Sequence, residues 1–337
     1  MNVRRVIAVT CLFAAGLAVP AAASHAKHSS GVLAIKTLSV RADLVSGPQV
    51  LTRITLPSGA PSKDLAVSLN GHDVTDEFAM RPDHHIEGLL TGMRLGTNSL
   101  EAILGDRVVE LTVTEHPIGG PTFTGPQVQP WKCEAGAKDA KCDRQATYSY
   151  EYLPVGTNNV AGGVTGVASV SAFQSYNPAS PPPAPLIATT TTRNGVTVPF
   201  IVRVETGYID RDQYQIAALW QPGKPWQPWA PQPQYIHRLV ITHGASCDTT
   251  YGSGATPSVL DPKILGAGFV VMSNALDNAG HNCNLITQAE SLVMTKQRVI
   301  DEYGPVLWTI GMGCSGGSPV PPVPGGVPPV SPVPVPV

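Results

Sequence analysis

The chain has 337 residues, a formal net charge of −2 and 42% hydrophobic residues, which suffices for two domains with buried cores. The near-neutral charge argues against a nucleic-acid partner, which would require a clustered basic face. No run of like charges forms a polybasic membrane patch. Proline and glycine number 33 each, which predicts many short strands and turns.

The first 23 residues have the pattern of a secretory signal peptide. Arg4 and Arg5 precede an apolar run over residues 6–19, and three alanines at 21–23 form a cleavage site, so we expect cleavage after Ala23. The alternative, a membrane anchor, is disfavoured because the apolar run is short for a membrane span. No later stretch is long enough to cross a bilayer. We therefore expect an exported protein, secreted or periplasmic.

Export places the cysteines in an oxidising compartment, where pairing is the default. Five cysteines remain after cleavage. Cys133 with Cys142 would close a short loop, and Cys247 with Cys283 would tie two loops after neighbouring strands, which leaves Cys314 unpaired. The alternative is a zinc site formed by two of these cysteines and two histidines (His243, Cys247, His281 and Cys283). We favour the disulfides and expect no metal and no other cofactor.

Residues 31–118 alternate apolar and polar positions between tight turns. Asn70-Gly71 and Gly105-Asp106 are strong hairpin signals. Short strands at this spacing predict a small immunoglobulin-like β-sandwich. Residues 119–185 are loop-like and rich in Pro and Gly, so we predict a connector there.

Residues 186–318 contain three apolar runs without alternation, "IHRLVITHG", "GFVVMSNAL" and "VLWTIGMG". Such runs are typical of parallel strands covered on both faces. A helix lies between the second and third run, with Thr287 and Glu290 as its predicted capping box and Gly304 at its end. Strand, helix, strand is a parallel crossover unit. The fold class is therefore predicted as α/β, with a sandwich followed by a partial α/β-hydrolase domain.

The last apolar run leads directly into G-x-S-x-G at residues 313–317. At the end of a buried strand, this pattern is typical of a nucleophile elbow, whose serine, here Ser315, attacks a carbonyl carbon. The first apolar run ends in His-Gly-Ala at 243–245, and a loop of this kind supplies N–H groups to an oxyanion hole. Alternatively, residues 243–245 form an ordinary turn in which the histidine side chain has a hydrogen-bond partner. The predicted oxyanion donors are Gly244, Ala245 and Gly316.

Trp226 and Trp229 lie in the Pro-rich loop "QPGKPWQPWAPQPQ". They are candidate substrate-binding residues, because aromatic rings stack on sugars and aromatic ligands. Alternatively, they cover the sheet edge.

Three segments resemble an uncharacterised secreted bacterial family: "HPIGGPTFTGPQVQPW", "IATTTTRNGVTVPFIVRVETGYIDRDQYQIA" and "WTIGMGCSGGS". Its members look like α/β-hydrolases, distantly similar to tannases and feruloyl esterases, and the resemblance covers roughly residues 31–318. It implies a small-molecule or polymer-linked ester, hydrolysed through an acyl-Ser315 intermediate. In the tannase-like group, a cysteine at the position of Cys314 bridges to one beside the catalytic histidine.

Beyond Ser315 the sequence has no Asp, Glu or His, and residues 319–337 are a Pro/Val-rich tail that we expect to be disordered. The triad order of this fold requires an acid and a histidine after the serine. We therefore expect the triad Asp and His to be absent and the chain to be inactive as written. His243 and His281 precede Ser315, so either would serve as the base only if the triad residues followed a different order along the chain. The alternative function is a non-catalytic secreted binding protein that uses the sandwich and the Trp-rich loop.

Overall fold

The computed structural model describes residues 31–82, 84–156 and 173–317. The predicted signal peptide (1–23) and the predicted disordered tail (319–337) lie outside the described residues. The fold is mostly sheet with few helices. No helix in the described ranges is both long and apolar enough to span a lipid bilayer.

The N-terminal part of the chain forms two sheets around one core. Its strands are β1 (Ala34–Thr37), β2 (Val45–Ser46), β3 (Val50–Thr55), β4 (Leu65–Leu69), β5 (His72–Asp73), β6 (Phe78–Met80), β7 (Ile86–Leu90), β8 (Gly96–Leu104) and β9 (Arg107–His116). One sheet has the order β1-β3-β7-β6 and the other β2-β9-β8-β4-β5. Side chains from both sheets are buried against each other, including Val50 and Ile54 from the first and Val67 and Leu100 from the second. These residues alternate along their strands, because every second side chain of a strand faces the core.

The turn residues fix how these strands pair. Asn70 and Gly71 both have positive φ, 52° and 82°, and connect the antiparallel pair β4 and β5. Two consecutive positive φ values define the hairpin turn that an Asn-Gly sequence favours. Gly105 lies in the turn between β8 and β9, which form the longest hairpin of this region. Both hairpins agree with the sequence prediction.

The C-terminal part contains a seven-stranded sheet. Its strands are β10 (Thr147–Tyr152), β11 (Gln174–Ser175), β14 (Ile201–Ile209), β15 (Asp212–Leu219), β16 (Arg238–Thr242), β17 (Val270–Asn274) and β18 (Trp308–Met312), and a separate hairpin is formed by β12 (Thr189–Thr191) and β13 (Thr197–Pro199). The order is β11-β10-β14-β15-β17-β16-β18. The strands β17, β16 and β18 are parallel and the other neighbours are antiparallel. The segment 119–185, predicted as a connector, thus supplies two strands of this sheet.

Two helices accompany the sheet, α1 (Pro262–Gly266) and α2 (Leu285–Tyr303). The helix α2 links the parallel strands β17 and β18 and begins after Asn284, whose side chain accepts hydrogen bonds from the N–H groups of Ile286 and Thr287. The predicted capping box was wrong. The Glu290 carboxylate is buried and instead accepts hydrogen bonds from the backbone N–H groups of residues 122–124.

The helix α2 also attaches the N-terminal sheets to the seven-stranded sheet. The Asp301 carboxylate accepts a 2.7 Å hydrogen bond from the N–H of Leu51, and the Gln297 amide pairs with both backbone groups of Ser46 at 2.9 and 3.0 Å. Complete burial raises the pKa of Asp301 to about 7. The contact between the two parts is therefore made by satisfied polar groups as well as by apolar packing.

The strand β18 forms one edge of the seven-stranded sheet. Within the described residues it pairs only with β16. Its side chains Trp308, Ile310 and Met312 are 40%, 38% and 40% exposed. The third apolar run of the sequence is therefore a strand of the parallel sheet, but it is not covered on both faces by the part of the chain described here.

Candidate active site

Ser315 lies in a short 3-10 turn, Ser315–Gly317, directly after the edge strand β18. It is exposed, and its φ of +50° is in the left-handed region, which a non-glycine residue rarely adopts. A nucleophile elbow likewise holds its serine in a strained turn after a strand. The backbone therefore presents the Ser315 hydroxyl to solvent at the carboxyl end of the parallel strands.

The glycines around Ser315 are required by close backbone contacts. A Cβ added to Gly316 would lie 1.8 Å from the carbonyl oxygen of Ser246, and one added to Gly317 would lie 2.4 Å from that of Gly244. The N–H of Cys314 donates to the same Gly244 oxygen at 3.0 Å. The turn that carries Ser315 is thus packed, backbone against backbone, on the loop that follows β16.

This contact brings together the residues predicted to form the oxyanion hole. Because β16 and β18 are parallel neighbours, their carboxyl ends meet at the same edge of the sheet. The backbone N–H groups of Gly244, Ala245 and Gly316 donate to no acceptor within the part of the chain that the structure describes. Three donors in adjoining loops beside Ser315 are therefore available to a bound group.

His243, at the end of β16, forms a buried pair with Asp277. The imidazole Nδ1 lies 2.8 Å from both carboxylate oxygens, so the Nδ1–H donates to Asp277. Burial raises the pKa of Asp277 to about 6, although the hydrogen bond from His243 opposes this shift. The other nitrogen, Nε2, lies against Gly311, where an added Cβ would be only 2.8 Å away. The pair therefore lies under the end of β18.

A second buried pair joins His281 to Asp212 at the start of β15. The imidazole Nε2 is 2.9 Å from Oδ2 of Asp212, whose Oδ1 also accepts hydrogen bonds from the N–H groups of Gly254 and Gln213 at 2.7 and 2.8 Å. The hydrogen bond to Asp212 raises the pKa of His281. Gly254 lies against the ring, because an added Cβ would be 2.6 Å from its Cε1 atom.

Sequence reasoning missed both pairs. It placed His243 on the oxyanion side with a satisfied side chain as the alternative, and it identified neither Asp277 nor Asp212 as a partner. One signal was present, since Asp277 closely follows the next parallel strand, and the carboxyl ends of such strands lie together. Within the described residues, neither imidazole is hydrogen-bonded to Ser315.

The cysteines form two disulfides, Cys133–Cys142 and Cys247–Cys283, and Cys314 is free and exposed. The alternative zinc site would need Cys247 and Cys283 as thiolates. In the structure these two are joined, and both candidate histidines are bound to aspartates. No group of three or more His, Cys, Asp or Glu side chains in residues 31–82, 84–156 and 173–317 is arranged to hold a metal ion.

The structure does not bring Trp226 and Trp229 together with Ser315. Trp226 stacks on Trp220 at 5.1 Å, and its indole N–H donates to the carbonyl of Tyr303, which ends α2 ahead of β18. The Trp229 ring is covered by the Arg81 guanidinium at 3.8 Å. Both rings pack at the margin of the core. Trp226 is near the amino ends of the parallel strands, whereas Ser315 follows the carboxyl end of β18.

The model of a tannase-like family of unknown function (DUF6351) matches residues 35–320. The match includes the N-terminal sheets, the seven-stranded sheet and the turn that carries Ser315. No curated protein matches the sequence.

Proposed function

Because the chain belongs to this tannase-like family of unknown function, we propose that Ser315 is the nucleophile of a carboxylic-ester hydrolase site. The observation that carries the proposal is the left-handed φ of Ser315 in a turn packed on the loop after β16. A strained, exposed serine at a strand end has no structural advantage over glycine, which adopts this conformation without cost. Its presence there is explained by a role of its hydroxyl as the nucleophile.

The arrangement fits acyl transfer. In the proposed reaction the Ser315 Oγ attacks the ester carbonyl carbon, and the alcohol leaves as the acyl-serine forms. Water then hydrolyses the acyl-serine. The negative oxygen of each tetrahedral intermediate would accept hydrogen bonds from the N–H of Gly316 and from that of Gly244 or Ala245. Removal of one such donor costs about 3 kcal/mol of transition-state stabilisation in enzymes of this kind.

The proposed fold is an α/β-hydrolase domain, supported by the parallel strands β17, β16 and β18, the crossover helix α2 and a serine directly after β18. Export is proposed as well. The two disulfides support an oxidising compartment.

The proposed site still requires a base for Ser315. The Nδ1 of His243 is bound to Asp277, its Nε2 faces Gly311, and no histidine follows Ser315 in the sequence. A serine hydroxyl without a base is a weak nucleophile at neutral pH. In a well-studied serine hydrolase, loss of the triad lowers kcat by about 10⁶-fold. We therefore propose that a polypeptide of these 337 residues has the nucleophile but no measurable turnover.

Rescue by an external base tests both that Ser315 is the nucleophile and that the chain supplies no base for it. With a p-nitrophenyl ester at pH 7, the wild-type chain and Ser315→Ala should hydrolyse at the same rate. Addition of imidazole should accelerate the wild type beyond Ser315→Ala, because the free base replaces the missing one. Ser318→Ala, which changes the serine directly after the motif, should be rescued like the wild type.

Two outcomes would contradict the proposal differently. Serine-dependent turnover without imidazole would mean that the chain already supplies a base. Equal rates of the wild type and Ser315→Ala in imidazole would mean that Ser315 is not the nucleophile. Labelling by a fluorophosphonate probe in the presence of imidazole, followed by peptide mass spectrometry, identifies the phosphonylated residue directly.

A further inference from the structure

A cavity of about 490 Å³ lies beside the start of β16, at the end of the sheet opposite to Ser315. Three basic residues line it, Arg193, His237 and Arg238. The rest of the wall includes the apolar residues Pro231, Pro233 and Ile236 and the polar residues Asn194 and Gln232. Its volume is typical of sites for small organic ligands.

The two guanidinium groups are held by aromatic rings. The Cζ of Arg238 lies 4.3 Å from the ring centre of Trp308 and 6.0 Å from that of Phe269. The Cζ of Arg193 lies 5.2 Å from the same Phe269 ring. A guanidinium that lies over a ring keeps its N–H donors in its own plane, where they remain free for other partners. The rings therefore position both groups without using their hydrogen-bonding capacity.

The positive charge of the cavity has no counterion in the described part of the chain. Neither guanidinium forms a salt bridge or a hydrogen bond there, whereas Arg53 and Arg298 pair with glutamates elsewhere in the molecule. His237 has its Nδ1 2.9 Å from the carbonyl of Pro305. Two uncompensated positive charges next to the same ring raise the local potential, which attracts anions into a concave site.

The wall is fixed by contacts of its own. The Asn194 amide donates to the carbonyl of Pro233 at 2.9 Å, and the N–H of Ile236 donates to the carbonyl of Gly268 at 3.1 Å. His237 has a φ of +57°, and its imidazole packs on the Tyr235 ring with the centroids 4.8 Å apart. The cavity is therefore formed by ordered backbone, and binding would require little rearrangement.

We propose that this cavity binds a small organic dicarboxylate. The planar guanidinium fork matches a carboxylate with two parallel hydrogen bonds, and Arg193 and Arg238 provide two such forks close to one ring. The carbon chain between the carboxylates would lie on the two prolines and Ile236. This apolar wall favours an organic anion over inorganic phosphate. The site is independent of the chemistry proposed for Ser315.

Isothermal titration calorimetry with succinate and glutarate tests the site, with the chain that remains after cleavage at Ala23 as the protein. At least one of the two should bind, and neutral succinamide, which has the same carbon skeleton as succinate, should not. Arg193→Gln and Arg238→Gln should each weaken binding by about tenfold or more, because each removes a charged hydrogen-bonding partner. Arg238→Lys keeps the charge without the fork and should fall between Arg238→Gln and the wild type.

Two variants serve as controls. Arg94→Gln removes an exposed arginine from the N-terminal sheets and should leave binding unchanged, as should Ser315→Ala. Arg238 packs on Trp308, so its replacement can affect folding, and thermal unfolding checks each variant for this. Arg193 is exposed, so its replacement should disturb the core less. The proposal is overturned by absence of dicarboxylate binding, by equal binding of succinamide, by affinity unchanged in both glutamine variants, or by phosphate binding as tightly as the dicarboxylates.

Discussion

The loop between β17 and α2 takes part in two buried His–Asp pairs that have nearly equal lengths and different surroundings. Among the residues that the structure describes, Asp277 accepts a hydrogen bond only from His243, whereas Asp212 accepts from His281 and from two backbone N–H groups. The first pair lies under Gly311 at the candidate site, and the second joins β15 to the segment around Gly254. Similar pair geometry therefore does not imply a similar role. Burial raises the pKa of both carboxylates, so the pairs differ in the number of donors that each carboxylate accepts.

The largest difference between the two pairs should appear when the carboxylate is removed. Asp212→Ala leaves an imidazole and two N–H groups unsatisfied in a buried position, so we expect a loss of about 3–5 kcal/mol in the free energy of unfolding. Asp277→Ala leaves one imidazole nitrogen without a partner and should cost about 1–3 kcal/mol. Urea denaturation of both variants measures the difference.

Asp106→Ala, in the exposed turn between β8 and β9, is the matched control and should change the stability by less than about 0.5 kcal/mol. Equal losses for Asp212→Ala and Asp277→Ala, or a larger loss for the second, would remove the distinction drawn between the pairs.

The next effect is the dependence of stability on pH. Burial raises the pKa of Asp277 from 3.8 to about 6, so its contribution to stability is fully present below pH 3.8 and is lost as the pH rises through 6. Relative to Asp277→Asn, the wild type should lose on the order of 2–3 kcal/mol between pH 4 and pH 7. Urea denaturation at intervals across that range follows the change.

The second pair should respond at higher pH. The pKa of His281 is raised from 6.5 by its bond to Asp212, so its contribution is fully present below pH 6.5 and is lost as the pH rises through the raised value. The difference in stability between the wild type and His281→Gln should therefore fall above pH 6.5. Identical pH windows for Asp277→Asn and His281→Gln would contradict the separate titration of the two pairs.

The most local effects should come from two glycines that lie against the two rings. Gly311→Ala places a Cβ 2.8 Å from Nε2 of His243, and Gly254→Ala places one 2.6 Å from Cε1 of His281. Each ring must shift to make room, at a cost of about 1–3 kcal/mol. Histidine side-chain NMR signals should change for His243 only in the first variant and for His281 only in the second. A change of both rings in either variant would mean that the two pairs are coupled.

Much of the sheet structure could be predicted from local patterns. Alternation and the turns at Asn70-Gly71 and Gly105-Asp106 identified the N-terminal hairpins, and unbroken apolar runs identified β16, β17 and β18 as parallel. The strand β10 was missed, although "TYSYEY" places tyrosines at every second position, because the surrounding Pro and Gly residues favoured a loop. The helix α2 was found, but not its first residue. Asn284 and Thr287 are both good caps, and the distant segment around Thr122 takes the Glu290 carboxylate that a capping box would need.

At the candidate site the local motif predicted Ser315 and the neighbouring N–H donors, because they follow strand ends at fixed offsets. The His–Asp pairs could not be derived in the same way. His243 and Asp277 are 34 residues apart, and His281 and Asp212 are 69 apart, so their contacts depend on the order of strands in the sheet. That order places β17 between β15 and β16, which no pattern within a single strand encodes.

The outer side of β18 has a consequence for how the serine is reached. An edge strand with exposed aromatic and aliphatic side chains readily accepts an additional strand from an extended polypeptide. Ser315 follows Met312, the last residue of that strand, by only three positions. Growth of the sheet by one strand would therefore cover Trp308 and Ile310 and reshape the approach to the hydroxyl in a single event. Association of another polypeptide at this edge would thus change the accessibility of the Ser315 hydroxyl.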